Sequence, residues 1–275
     1  MAIWNKVLQK LNNNNTQQYE VVMLADKDGN IINTFGAASN IPIASGEVNG
    51  YQNVHKFGMI DGSNGSDWTT LWSAADSAGT RLYPWDTAAG TVSVVSDEDD
   101  DTDGDVGAHT IIVEGLDTNY NFISESFALS GTTETGEGAV TFQRVNRAYI
   151  TEGNTNVGKI QIKNGTTIVA EIAAEMGQTQ MCVYTIPAGK TGYLTRLATS
   201  SSKHQSTIVS LFQRPYQKTF VRTASTIALF RNNQTITYDI PIRFPEKTDL
   251  DLRQIGSANN VLAADFNIIL VDNPS

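Results

Sequence analysis

Cysteine and histidine are scarce in this chain of 275 residues, which has one cysteine and three histidines. The single cysteine, Cys182, excludes an internal disulfide framework. Its place in the run MCVYTIP predicts a buried thiol that packs as a small apolar side chain. His55, His109 and His204 lie in separate segments, and the sequence has no paired Cys/His metal spacing, G-x-S-x-G elbow, P-loop or H-E-x-x-H motif. We therefore expect no enzymatic activity.

Long apolar runs are also missing. No segment approaches the roughly 20 apolar residues that a membrane span requires. The first residues, MAIWNKVLQKLNNNNTQQYE, contain no apolar run long enough for a signal peptide. We expect a soluble chain that does not associate with a membrane and is not exported by that route.

The residues that are abundant favour strands and turns. Apolar residues make up 40% of the chain, and 22 glycines accompany many Thr, Ser and Asn residues. Short runs of alternating apolar and polar residues are separated by turn residues. The pattern predicts an all-β protein with two β-sandwich or jelly-roll-like domains and an extended N-terminal arm. The predicted parts are the arm at 1–50, a first domain at 51–151, a connecting hairpin at 152–177 with Asn164-Gly165 at its turn, and a second domain at 178–275.

The arm is predicted to contain a short helix, a hairpin and a linker. Its helical spacing comes from Ile3, Trp4, Val7, Leu8 and Leu11. A helix this short is marginal alone and needs a partner. The runs EVVMLA and IINTF around DKDGN predict the hairpin, and small polar residues at 36–50 predict the linker.

Charge is distributed unevenly along the chain. Residues 1–150 hold seven Lys/Arg against 20 Asp/Glu, whereas residues 151–275 hold 12 against nine. Between Met176 and Tyr238 there are no acidic residues. The basic residues of that stretch are Lys190, Arg196, Lys203, Arg214, Lys218, Arg222 and Arg231. They indicate either a face that docks on an acidic protein or solvated charges at strand edges. Because the bases are scattered and the whole chain is acidic, we expect no binding to nucleic acid.

An acidic loop, DEDDDTDGD, occupies residues 97–105. Its opening resembles a calcium loop, but Thr110 stands at the twelfth position, where an EF-hand requires glutamate. Two interpretations remain: a looser Ca²⁺ site in a β loop, built from Asp99, Asp101, Asp103 and Asp105, or a solvated loop without a cofactor. Because like charges repel, we expect an ordered conformation to need a cation or a basic partner.

Aromatic residues cluster in the first predicted domain. Phe57, Trp68, Trp72, Tyr83 and Trp85 are interpreted as core and as plugs at strand edges. The alternative is a carbohydrate platform formed by the three tryptophans. Asp249 and Asp251, two positions apart on one strand, are the carboxylate pair that a glycosidase would use, but the sequence shows no repeats of the kind that long β-helices contain.

Several short sequence motifs in the first predicted domain carry a resemblance to a known family. HKFG at 55–58, TLW at 70–72, YPW at 83–85 and GAHTIIVEGLD at 107–117 precede FQRVNRAYI at 142–150. In this order the motifs resemble those of virion structural proteins of tailed phages from aquatic environments, in particular head decoration or cement proteins. The resemblance implies a non-enzymatic virion protein, made in the host cytoplasm and placed on the outer capsid surface.

The same resemblance implies the partners. They are the major capsid protein and further copies of this chain, with a trimer as one such assembly. We assign capsid contacts to the arm residues Trp4, Val7, Leu8 and Leu11 and to the basic residues Arg214, Lys218, Arg222 and Arg231. The alternative function is a tail, neck or head-fibre component, an adhesin that binds host surface glycans.

Overall fold

A computed structural model describes residues 6–8, 21–23, 40–61, 66–77, 80–202, 206–229, 233–256 and 260–274. The chain divides into two compact units, Met1–Gln52 and Asn53–Ser275. Antiparallel strands dominate the described residues, and this confirms the all-β class. The two short helices described are α1 at Asn40–Ala44 and a 3-10 helix at Ser73–Asp76. None of the described helices is long and apolar enough to span a membrane.

The first unit contains a small antiparallel pair. Strand β1, Lys6–Leu8, pairs with β2, Val21–Met23, with Val7 opposite Val22. The predicted helix is therefore wrong at its centre, because an isolated short helix is marginal and the valines of both segments favour strand pairing. The second half of the predicted hairpin, IINTF, lies outside the described residues. The predicted linker at 36–50 contains α1.

Fifteen further strands follow in the described part of the chain. They are β3 Tyr51–Asp61, β4 Thr69–Thr70, β5 Ser93–Ser96, β6 Ala108–Leu116, β7 Phe122–Ala128, β8 Arg144–Gly153, β9 Ile160–Asn164, β10 Thr167–Ile172, β11 Val183–Thr185, β12 Lys190–Ser201, β13 Thr207–Arg214, β14 Arg222–Leu229, β15 Gln234–Phe244, β16 Asp249–Gly256 and β17 Val261–Asp272.

These strands form four sheets. One has the order β15-β12-β17-β3, and a second has the order β11-β16-β13-β14, with β4 added on β16. Two three-stranded sheets have the orders β10-β9-β5 and β7-β6-β8. Strand β17 shows why the sequence forms strands here: in VLAADFNIILVD, alternate residues from Leu262 to Leu270 are buried and those between are partly exposed, as in a sheet with one covered face.

The strands of both predicted domains share one core. The buried cluster includes residues from Ile60 to Leu270. The Leu71 N–H donates to the Leu252 carbonyl at 2.9 Å, and the Cys182 N–H donates to the Leu71 carbonyl at 2.8 Å. The hairpin of β9 and β10 turns at Asn164-Gly165, as the sequence predicts, and β9 also pairs with β5. The division into domains at 51–151 and 178–275 stays a prediction, but a shared core argues that the two ranges depend on each other.

Cys182 lies inside this core. Its side chain is fully buried and is not in a disulfide. The Sγ–H donates to the Ala264 carbonyl at 3.2 Å, and burial raises the pKa of the thiol far above its ordinary value. The prediction of a buried thiol is confirmed.

Candidate partner-binding surface

Asp101 organises the acidic loop from inside. Its side chain is fully buried. The carboxylate accepts hydrogen bonds from Ser96 Oγ at 2.6 Å and from the backbone N–H groups of Ala108 at 3.0 Å, Val157 at 2.9 Å and Gly158 at 3.0 Å. A carboxylate with four protein donors has its lone pairs occupied. Asp101 is therefore an anchor that ties the loop to β6 and to the segment before β9.

The other three calcium candidates make contacts of their own. Asp99 accepts from Thr132 Oγ1 at 2.5 Å, and this hydrogen bond lowers the pKa of the Asp99 carboxyl. Asp103 lies 3.7 Å from His109 Nδ1, and the Asp105 carbonyl is 2.9 Å from His109 Nε2. The structure does not bring the four carboxylates together, and the described residues contain no group of three or more potential metal ligands. The loop is held by protein groups: the four donors to Asp101, and Lys159, whose backbone N–H donates to Asp97 Oδ1 at 2.7 Å.

The tryptophans do not form a carbohydrate platform. Trp72 is fully buried, and its Nε1–H donates to the Thr80 carbonyl at 3.0 Å. Trp85 is 7% exposed and donates to Asp251 Oδ2 at 3.1 Å. Trp68 is partly exposed and packs edge-on against Phe212, with the ring centroids 5.1 Å apart. The platform interpretation is wrong because two of its three rings lie in the interior, whereas the core interpretation holds for Trp72 and Trp85.

Asp249 and Asp251 are structural carboxylates. Arg144 makes a two-pronged ion pair with Asp249, with Nε to Oδ1 and Nη2 to Oδ2 both at 3.0 Å. Asp251 accepts from Thr70 Oγ1 at 2.9 Å and from Arg253 Nε at 2.7 Å, and burial raises its pKa. Both carboxylates are buried and already bonded, so a sugar cannot reach them as a glycosidase pair.

Three of the motifs that carry the resemblance supply residues to this buried polar cluster. Thr70 comes from TLW, Trp85 from YPW and Arg144 from FQRVNRAYI. The Arg144 guanidinium lies 5.4 Å from the centre of the Trp85 ring. The backbone N–H of Tyr83, in YPW, donates to Thr70 Oγ1 at 3.0 Å, and the Tyr83 hydroxyl donates to the Val145 carbonyl at 3.1 Å.

The two remaining motifs both contact FQRVNRAYI. Lys56 of HKFG donates to the Asn146 carbonyl, within FQRVNRAYI. Gly115 of GAHTIIVEGLD lies so close to the Arg144 carbonyl that an added Cβ would be 2.0 Å from its oxygen. Each of the five motifs therefore contacts another motif of the set, directly or through the buried polar cluster.

An exposed basic and apolar surface lies between β13 and β14. The loop at 215–221 exposes Tyr216, Phe220 and Val221, and Lys218 and Arg222 are exposed beside them. The Arg222 guanidinium lies 4.9 Å from the centre of the Phe220 ring. We call these five residues the β13–β14 surface. Strand β14 stands last in the order of its sheet as described, so the surface continues into a strand edge.

The base of this loop is fixed to the body of the protein. Arg214 Nη2 contacts Asp86 Oδ1 at 2.7 Å, and its Nε–H donates to the Lys218 carbonyl at 2.9 Å. The Tyr216 ring packs edge-on against Tyr120, at 5.5 Å between centroids. The Lys247 ammonium lies 4.9 Å from the Tyr216 ring centre and 5.6 Å from that of Tyr120. A surface held in this way loses little conformational entropy when a partner binds.

The structure thus separates the predicted capsid contacts into groups. Lys218 and Arg222 are exposed on one surface, and Arg214 supports it from below through Asp86. Arg231 lies outside the described residues, as do Trp4 and Leu11. Val7 and Leu8 lie in β1. The predicted contacts did not include the exposed residues Tyr216, Phe220 and Val221, although the aromatic residues in the loop PYQKTFV are a signal in the sequence that could have identified them.

Comparison with known proteins gives weak likenesses only. No family model matches the chain, and no curated protein matches it. A structure of the infectious bursal disease virus Gx strain is 10% identical, covers 82% of this chain and 72% of that chain, and gives a TM-score of 0.24. The T13 particle of the same virus is 10% identical, with coverage of 81% and 73% and a TM-score of 0.20. Its VP2 subviral particle is 10% identical, with coverage of 82% and 73% and a TM-score of 0.20. Likenesses at this level support no statement about the fold or function of this chain.

Proposed function

We propose that this chain is a non-enzymatic structural protein of a tailed-phage virion, and that it acts as a decoration or cement protein on the outer surface of the head. The observation that carries the proposal is the contact among the five motifs that carry the resemblance. Because TLW, YPW and FQRVNRAYI each supply a residue to one buried polar cluster, the resemblance concerns residues that interact with one another. Motifs that lie apart on the surface could recur by chance far more easily than a set of motifs whose residues interact.

A decoration protein works by selective binding. A ligand that binds the assembled shell, but not its separated subunits, stabilises the shell by mass action. The partners in this proposal are the major capsid protein and further copies of this chain. The role requires an exposed binding surface and no catalytic group.

The β13–β14 surface suits contact with an acidic, partly apolar protein face. Arginine and aromatic residues are enriched at the energetic centres of protein interfaces. Phe220 is 44% exposed, so burying its ring would remove apolar area from water. Lys218 and Arg222 would steer an acidic partner toward it. The arm residues Trp4, Val7, Leu8 and Leu11 are the second proposed contact.

The test is binding of purified protein to phage heads that lack it. We expect Phe220→Ala combined with Arg222→Glu to lower the affinity by about 100-fold, since a central aromatic and a reversed charge each cost roughly 1–3 kcal/mol. Arg81→Glu is the matched control, because Arg81 is an exposed arginine outside this surface. Unchanged affinity of the double variant, with binding by the parent protein, would place the contact elsewhere. No binding by the parent protein would contradict the decoration function itself.

A further inference from the structure

Lys56 is a lysine in the interior. It lies on β3, is 8% exposed, and its Nζ donates to the backbone carbonyl of Asn146 on β8. The two residues are 90 positions apart in sequence and belong to different sheets. A charged amine is costly to bury without a carboxylate partner, and the only contact described for Nζ is a neutral carbonyl.

Asn146 is buried as well. It is 7% exposed, and its side-chain Nδ2 has no hydrogen-bond partner among the described residues. A buried N–H donor without an acceptor is destabilising. A buried primary amine therefore contacts the backbone of a residue whose own side-chain carboxamide is buried with an unsatisfied Nδ2.

The surroundings favour the neutral form of the amine. Burial lowers the pKa of Lys56 to about 8. Three other titratable or charged groups act on it: Cys182 raises the pKa, Arg147 lowers it and Glu114 raises it. Glu114 lies on β6 next to β8, opposite Arg147, and is the carboxylate of this set.

We propose that Lys56 and Asn146 form an intramolecular isopeptide bond. The neutral Nζ attacks Cγ of Asn146, the Nζ–Cγ bond forms and the Cγ–Nδ2 bond breaks. One proton passes from Nζ to Nδ2, which leaves as ammonia, and we assign the transfer of this proton to the Glu114 carboxylate. The reaction exchanges one amide for another, so it consumes no oxidant, cofactor or other reactant.

The proximity of Lys56 to Asn146 favours the reaction. Nζ already lies on the backbone oxygen of Asn146, and Cγ belongs to the same residue, so rotation about the side-chain bonds can bring the two reacting atoms together. Groups held in this way react as if at very high concentration. The product would join β3 to β8 covalently and would remove both the buried amine and the unsatisfied amide.

Intact-mass spectrometry of the full chain tests the proposal. We expect the folded protein, after incubation at pH 9, to be lighter than its sequence by one ammonia molecule. Tandem spectra of a digest should contain a branched peptide that joins the Lys56 and Asn146 segments. A mass equal to that of the sequence would overturn the proposal, and this result does not depend on whether any variant folds.

Variants locate the bond. Lys56→Met and Asn146→Ala should each restore the full mass, whereas Asn146→Asp should lose water in place of ammonia. Lys163→Met is the control, because Lys163 is paired with the exposed Glu134 and its loss should leave the mass deficit in place. A deficit that persists in Lys56→Met would overturn the proposal and point to ring closure at Asn164-Gly165.

The pH dependence and Glu114 test the chemistry. In protein refolded from inclusion bodies, the rate of ammonia loss should rise about tenfold per pH unit below pH 8 and level off above it, following the neutral amine. A rate independent of pH would contradict attack by Lys56. Glu114→Gln should slow the reaction by at least about 100-fold, in the range of general acid–base catalysis. An unchanged rate would remove Glu114 from the mechanism.

Discussion

Single residues decide how the acidic loop is ordered, and Asp101 has the largest part. Seven acidic residues lie at 97–105, yet the loop has a defined conformation because Asp101 accepts four hydrogen bonds. Two of the donors, Val157 and Gly158, come from a distant part of the sequence. Local composition predicts repulsion, but these long-range donors outweigh it.

We predict that Asp101→Asn lowers the free energy of unfolding by about 2–4 kcal/mol, because the amide group turns donors toward backbone N–H groups that need an acceptor. Urea denaturation measures the change. Asp103→Asn is the matched control and should alter stability by less than about 0.5 kcal/mol, since Asp103 is on the surface. Chelation of Ca²⁺ should leave the midpoint of thermal unfolding unchanged. A chelator-sensitive midpoint would restore the calcium interpretation.

Cys182 gives a prediction for alkaline pH. Burial raises the pKa of its thiol in the folded state above the ordinary value of 9.0. The stability that the neutral thiol contributes is complete below pH 9 and is lost as pH rises, because only the unfolded state then releases the proton. Relative to Cys182→Ala, the parent protein should lose about 1.4 kcal/mol per pH unit between pH 9 and 11. A difference that does not change with pH would contradict a buried thiol.

At the scale of strands and loops, regular elements could be predicted and loop functions could not. The alternation in β17 and the Asn164-Gly165 turn are local signals, and both give the expected structure. The helix predicted around Val7 failed because a pattern of so few residues fits a strand equally well. The β13–β14 surface was found only in part, because the exposure of Phe220 and the support from Lys247 depend on how distant strands pack.

The N-terminal segment is the element for which we predict a separable role. Deletion of residues 1–18 should abolish capsid binding, because it removes the proposed contacts of Trp4, Val7, Leu8 and Leu11. The unfolding transition of residues 53–275 should remain, since they form their own compact unit. Head-binding assays and circular dichroism measure the two effects. Unchanged occupancy on heads would contradict a role for the arm.

At the scale of the whole molecule, the all-β class follows from composition and alternation, whereas the shared core does not. The pair of Arg144 and Asp249 spans 105 positions, and nothing in the local sequence around either residue identifies the other. The tryptophans of TLW and YPW were correctly interpreted as core residues because aromatic side chains contribute large buried areas. Their hydrogen bonds to Thr80 and Asp251 required the structure.

The shared core predicts that the C-terminal range cannot fold alone. Residues 178–275 expressed by themselves would lack Arg144 and Thr70, which would leave the buried carboxylates of Asp249 and Asp251 with fewer partners, a loss of about 3–5 kcal/mol for a broken buried ion pair alone. We expect no cooperative unfolding transition for this fragment. A cooperative transition would instead support the predicted division into two domains.

The proposed place of this protein on the virion can be tested most directly by immunogold electron microscopy of intact phage particles, with an antibody raised against this chain. A decoration protein predicts label at high copy number over the whole head. Label confined to the tail, the neck or one vertex would contradict the decoration function and favour a glycan-binding adhesin, which a glycan array with and without Ca²⁺ would then test. Absence of label from virions would contradict the virion assignment as a whole.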